Sequence, residues 1–138
     1  MIEQEQDFYG WANEQAALLS QDKFDQLDMF NLINEIKSLA IKEVLELEQS
    51  FEQLYKYLLL YQHGAAVRAS ATSIHTLRRN IHRLLERSPS IREQITPEFL
   101  SSAWRYGSSE ARAELEDEAL PAQPDWTLEQ LLSEDFLP

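Results

Sequence analysis

Three histidines and six clustered arginines are the side chains of this chain best equipped for chemistry: His63, His75 and His82, with Arg68, Arg78, Arg79, Arg83, Arg87 and Arg92. Histidines held between facing helices are a common metal site, but a carboxylate-bundle site needs Glu-x-x-His, and the residues three before these histidines are Leu60, Thr72 and Arg79. His-x-x-x-His is also missing. His75 and His82 are seven residues apart, about 10 Å along a helix and too far for one ion, so no metal ligands are assigned. An arginine fork matches phosphate or carboxylate bidentately, which makes Arg68, His75, Arg78, Arg79, His82 and Arg83 a candidate anion or partner face. Arg68 and His75, with six residues between them, also fit a degenerate Arg-x(4 to 6)-His ribonuclease pattern, arginine holding phosphate and histidine moving protons. The plainer reading is that this helix pairs with Glu43, Glu46, Glu48 and Glu52 of a neighbour, each pair worth about 0 to 1 kcal/mol. Gly-rich phosphate loops, nucleophile elbows and His-Glu-x-x-His are absent, so no catalytic residue and no cofactor is assigned. The three tryptophans, Trp11, Trp104 and Trp126, have spacings suited to core or anchoring roles.

The elements that would position these groups are helical throughout. Asp7 caps a short helix carrying Phe8, Trp11, Ala12, Leu18 and Leu19, and Ser20 to Asp25 form a turn. Asp28 caps a second helical run with Phe30, Ile33, Ile36 and Leu39 on one side. Ala40, Val44, Leu47, Phe51, Leu54, Leu58 and Tyr61 then step by four and three without a miss, a seam for packing on another helix. Residues 28 to 62 fit either one helix or two. Gly64 suits a left-handed C′ position and ends the run near Gln62 or His63. A helix over 68 to 87, antiparallel to its predecessor, presents Val67, Ala71, Ile74, Leu77, Ile81, Leu84 and Leu85 to the core and stops at Ser88-Pro89. Its polar side takes Arg78, Arg79, Arg83 and Arg87. Ser88 is placed to cap a turn at Pro89, and Thr96-Pro97 opens another helix that Gly107, Ser108 and Ser109 could interrupt. Glu114 to Glu118 is a solvated acidic surface, Pro121 and Pro124 bracket a linker, and Thr127 with Gln130 forms a capping box for a last short helix anchored by Trp126. With no alternating β-branched runs, the fold class is an all-α bundle of five to six helices with a long antiparallel hairpin, a single domain whose residues 121–138 form a linker and docking helix.

The chain has 138 residues, 43% apolar, no cysteine and a net charge of −12, which fits one globular domain in a reducing compartment and excludes disulfides and thiol chemistry. Its start is acidic with no apolar h-region, and no apolar run approaches the ~20 residues of a membrane span, so a cytoplasmic location is expected. Charge is partitioned: residues 1–62 carry −8, residues 63–92 carry +5 and residues 93–138 carry −9. Every lysine precedes every arginine. A surface this acidic disfavours general nucleic-acid binding.

Asp7-Phe8-Tyr9-Gly10-Trp11 with Glu14 to Leu19, Phe24 to Asp28, Asn31 to Ile36 and Ser38-Leu39 stand in a recognisable order. Arg79 to Leu85, Ser88-Pro89-Ser90, Trp126 to Leu132 and Asp135 to Pro138 continue it. In this order the chain resembles the bacterial domain-of-unknown-function family 29, abundant in cyanobacteria, over nearly its whole length. The resemblance implies an all-α fold and a bacterial, cyanobacterial, cytoplasmic protein, and it supplies no activity. Relatives carry a tryptophan-containing, arginine-rich stretch before the basic helix, where this chain reads His63 to Thr72. The resemblance thus implies that anything relatives do with that stretch is altered here. Relatives also have a glycine-like break near Ala40, and alanine leaves room for a continuous helix.

The expectation is a non-enzymatic interaction module, adaptor or antitoxin-like, whose acidic surface and seam of Ala40 to Tyr61 engage a basic protein or a second copy. The competing reading is a nucleic-acid-binding or ribonuclease-like protein using the basic helix 68 to 87.

Overall fold

The computed structural model describes residues 1–116 and 122–138. The helices are α1 (Phe8–Ser20), α2 (Met29–Gln62), α3 (Val67–Arg87), α4 (Pro97–Leu115) and α5 (Leu128–Leu132). Two 3-10 turns, Phe24–Gln26 and Pro89–Gln94, join them. Among the described residues there is no strand, and the fold is all-α as the spacing predicts. Residues 29–62 form one helix of 34 residues, which resolves the one-or-two question; no glycine or proline stands inside it to break the ladder. The chain divides into two compact units, Met1–Lys42 and Glu43–Pro138.

In the first unit, α1 begins where the Asp7 carboxylate accepts a hydrogen bond from Gly10 N at 2.9 Å. It ends at Ser20, and the chain turns through residues 21–28 to reach α2. Trp11 and Gln15, one turn apart on α1, are its buried residues. Both reach Asp28 at the start of α2, so the two helices meet through a polar network as well as through packing.

The second unit has the apolar core. Leu47, Phe51, Leu54 and Leu58 of α2 are fully buried against Ile74 and Ile81 of α3, Ala103 and Ala111 of α4 and Leu131 of α5. Gly64, at φ +72°, closes α2 in the left-handed conformation that a side chain would strain. The chain reverses there, and late α3 meets early positions of this part of α2: Asn80 Nδ2 donates to Ser50 Oγ at 3.0 Å and Ser88 Oγ to Glu43 at 2.9 Å. That pairing makes the hairpin antiparallel. Ser88 spends its hydroxyl on Glu43 and makes no cap bond to the Pro89 turn, a correction to its expected role.

Thr96 caps α4, accepting from Phe99 N at 3.1 Å, and Pro97 occupies its first turn. Gly107 does not interrupt α4. A Cβ there would lie 2.2 Å from the Glu52 carbonyl oxygen, so the missing side chain lets α4 and α2 approach backbone to backbone. Lys56 of α2 joins Glu114 of α4 at 2.7 Å and Glu110 at 3.7 Å, which ties part of the acidic surface to the bundle. Asp117, Glu118 and Pro121, parts of the expected acidic surface and linker, lie outside the described residues. Both bonds of the Thr127–Gln130 capping box are present. Trp126 stacks on Tyr55 and meets Trp104 and Phe136 edge-on, anchoring the C-terminal segment. Burial pushes the Tyr55 phenol up to about 12, against a hydrogen bond with Gln123 that lowers it.

Candidate functional site

The six residues of the sequence-derived basic face separate into two groups on α3. Arg68, His75, Arg79 and Arg83 recur at seven, four and four residues and are exposed on one side of the helix, and among the described residues none is in an ion pair. Arg68 and His75 are about 10 Å apart along the axis. Arg78 does not share that face. It follows Ile74 by four residues and precedes Ile81 by three, which turns it toward the core, and only 1% of it is exposed.

Arg78 and His82 hold α5. Arg78 Nε donates to Leu131 O at 2.7 Å and Nη2 to Gln130 O at 3.4 Å, while the Phe136 ring lies 6.0 Å from the guanidinium carbon. His82 Nε2 donates to Leu132 O at 2.9 Å, which fixes the proton on that nitrogen. Three carbonyls at the end of a five-residue helix are thus satisfied by one cation and one imidazole, the placement that the helix dipole favours. Burial lowers the Arg78 guanidinium from its ordinary value, opposed by Glu134, and the group remains a cation. His63 bonds through Nδ1 to Leu59 O at 3.0 Å. Among the described residues no cluster of three or more His, Cys, Asp or Glu side chains is arranged to hold a metal ion.

The intramolecular pairing expected of the basic helix is confined to its end. Arg87 meets Glu43 through both Nε and Nη2 and approaches Glu46 at 3.7 Å. Glu48 and Glu52 have no arginine partner among the described residues. Burial and the nearby Glu48 and Glu110 carboxylates raise the Glu52 carboxyl above its ordinary range.

A polar network centred on Asp28, in the first unit, escaped sequence reasoning. One Asp28 oxygen accepts from Trp11 Nε1 at 2.9 Å and from Asn31 Nδ2 at 2.8 Å, and the other accepts from Asn31 N at 3.4 Å. Gln15 Oε1 accepts from Asp28 N at 2.8 Å. The bonds from Asn31 and Trp11 pull the Asp28 carboxyl below its ordinary range. Every donor to the carboxylate is thus supplied by the unit itself, and the network fixes α1 on the start of α2. The signal available in the sequence was a lone tryptophan four residues before a glutamine, with an Asp-x-x-Asn start on the next helix.

The N-terminal part of α2 has a different character. The three-and-four spacing of the seam extends backwards from Ala40 through Ile36, Ile33 and Met29. In the second unit the seam is core from Leu47 onward, as its packing spacing predicts, and that part of Ala40 to Tyr61 offers no free surface for the partner contact also expected of it. In the first unit the same stripe is bare: Met29 is 54% exposed, Ile36 65% and Leu39 62%, with Phe30 at 75%. Ile33 and Ile41 are exposed beside them. Together these six side chains expose on the order of several hundred Å² of apolar surface. No helix among the described residues is long and apolar enough to cross a membrane.

No curated protein and no solved structure shows significant similarity to the chain. The model of one family, the domain of unknown function DUF29, matches residues 4–137, and the chain belongs to that family.

Proposed function

We propose that this chain is a non-enzymatic interaction module of the bacterial cytoplasm, adaptor or antitoxin-like, that offers the apolar face of Met29 to Ile41 to another protein. The exposure of that face carries the reading: burying each large side chain is worth about 1.5–3 kcal/mol, and six of them between Met29 and Ile41 stand in water. Its polar groups point the same way. The carboxylate most engaged there, Asp28, accepts from Trp11 and Asn31 and so serves to hold α1 on the start of α2. Purification from the native host tests the reading. The wild-type chain is expected to bring down a stoichiometric protein partner, and Ile33→Asp with Ile36→Asp to lose it.

A second reading, nucleic-acid binding or a ribonuclease-like activity on α3, rests on the exposed row of Arg68, His75, Arg79 and Arg83. Arg79→Glu with Arg83→Glu removes that row without touching the α5 clamp. RNA that co-purifies with the wild type and is lost in this pair would move the function to α3.

A further inference from the structure

We infer that the bare face of α2 receives an amphipathic helix with a lysine- and arginine-rich polar side from another protein, and not a second copy of this chain. The inference rests on the interaction reading above and adds the chemistry of the occupant. Met29 to Ile41 spans about 20 Å at 1.5 Å per residue, the length of three to four turns of a partner helix. Its anchors Met29, Ile33, Ile36 and Ala40 repeat at four, three and four residues, the register by which one helix packs along another.

Charge selects between the occupants. Residues 1–42 hold eight acids and three lysines, a net −5. Between Met29 and Ile41 only Glu35 and Lys37 are charged, so the strip itself is neutral and the negative charge belongs to the unit around it. A second copy would bring −5 onto −5 and the whole chain −12 onto −12, a repulsion that apolar contact must overcome. A helix with cations along its flanks gains from the same field and meets the neutral strip with its apolar side. Glu35 lies off the strip, on the half-buried side of the helix that holds Asp28 and Asn31, and accepts a hydrogen bond from Gln4. The exposed Lys37, one turn after Ile33, stands at the strip's edge, so no acid is buried among the anchors.

The test uses the full chain and three helical peptides of about 14 residues: an amphipathic Leu/Lys helix, a scrambled peptide of the same composition, and an amphipathic Leu/Glu helix. Calorimetric titration at low and high salt is paired with sedimentation velocity of the chain alone. The expected result is one-to-one binding of the Leu/Lys helix that weakens with salt, and at least tenfold weaker binding of the other two. The chain alone sediments as a monomer. Ile33→Asp with Ile36→Asp, and the milder pair Phe30→Ala with Leu39→Ala, each lower the Leu/Lys affinity at least tenfold while circular dichroism stays unchanged. Equal binding by the scrambled peptide, or full binding by both variant pairs, would overturn the inference as mere charge attraction. Self-association abolished by either pair would also overturn it, replacing the occupant with a second copy while leaving the interaction reading intact. A monomer that binds none of the peptides would remove the occupant proposed here, and loss of the native partner's dependence on Ile33 and Ile36 would separately remove the function.

Discussion

The two ends of α2 carry the same apolar stripe and use it in opposite ways. Over Leu47 to Leu58 the stripe is sealed by α3, α4 and α5, and over Met29 to Ile41 the large side chains stand in water. The spacing that builds a core in one place presents a surface in the other. Amphipathic periodicity therefore reports which side of a helix is apolar and leaves the identity of the cover to the rest of the chain.

The largest contrast between the two ends is in stability. Phe51→Ala opens a cavity among buried side chains and is expected to cost about 3–5 kcal/mol, whereas Ile36→Ala is expected to stay within about 0.5 kcal/mol. Urea denaturation of both variants measures the difference, and similar losses would break the comparison.

The glycines of the second unit give the next effect. Gly107→Ala pushes a Cβ onto the Glu52 carbonyl and is expected to cost roughly 1–3 kcal/mol by overpacking. Gly64→Ala meets open space and is expected to cost about 1 kcal/mol through its positive φ alone. Thermal melts of the two rank close approach against backbone strain.

Neighbouring arginines of α3 differ in the same manner. Arg78→Met leaves the carbonyls of Leu131 and Gln130 without their donor and is expected to cost about 1–3 kcal/mol, with faster amide exchange across Leu128 to Phe136. Arg79→Met is expected to change neither. Equal protection of that segment in the two variants would show that Arg78 does not hold α5.

The smallest effect concerns pH. The folded Asp28 carboxyl titrates below its ordinary value, about 3.9, so its contribution is fully present above that value and is lost as pH falls through the lowered one. Trp11 emission reports the loss, because its indole donates to Asp28. Asp28→Asn is expected to remove this part of the acid transition and leave the neutral-pH contact largely in place.

The helices were legible in the sequence because their ends carry their own chemistry: Asp7, Thr96-Pro97, Thr127 with Gln130, and Gly64 each act as their residue types predict. Arg78 was misread because charge outweighed register: its place between Ile74 and Ile81 puts it on the core side, and a guanidinium enters a core when carbonyls and a ring receive it. Ser88 was misread because a hydroxyl beside a proline has two uses, and the nearer carboxylate of Glu43 took it. The Asp28 network joins residues 11, 15, 28 and 31 across a turn, and its distances exist only once α1 is folded back. The bare face was half visible. Ile33 and Ile36 lie on one side by periodicity, with Phe30 and Leu39 half a turn from each other at its two edges, but nothing local says that no element of the first unit covers them.

The measurement that tests the central claim most directly is the stability and partner affinity of Ile33→Asp with Ile36→Asp, taken together on one preparation. Two carboxylates on a face that is already in water are expected to leave the unfolding free energy within about 1 kcal/mol of wild type and to abolish partner binding. A loss of several kcal/mol in unfolding would show that the face is core, and unchanged partner binding would show that the contact is made elsewhere; either contradicts the account.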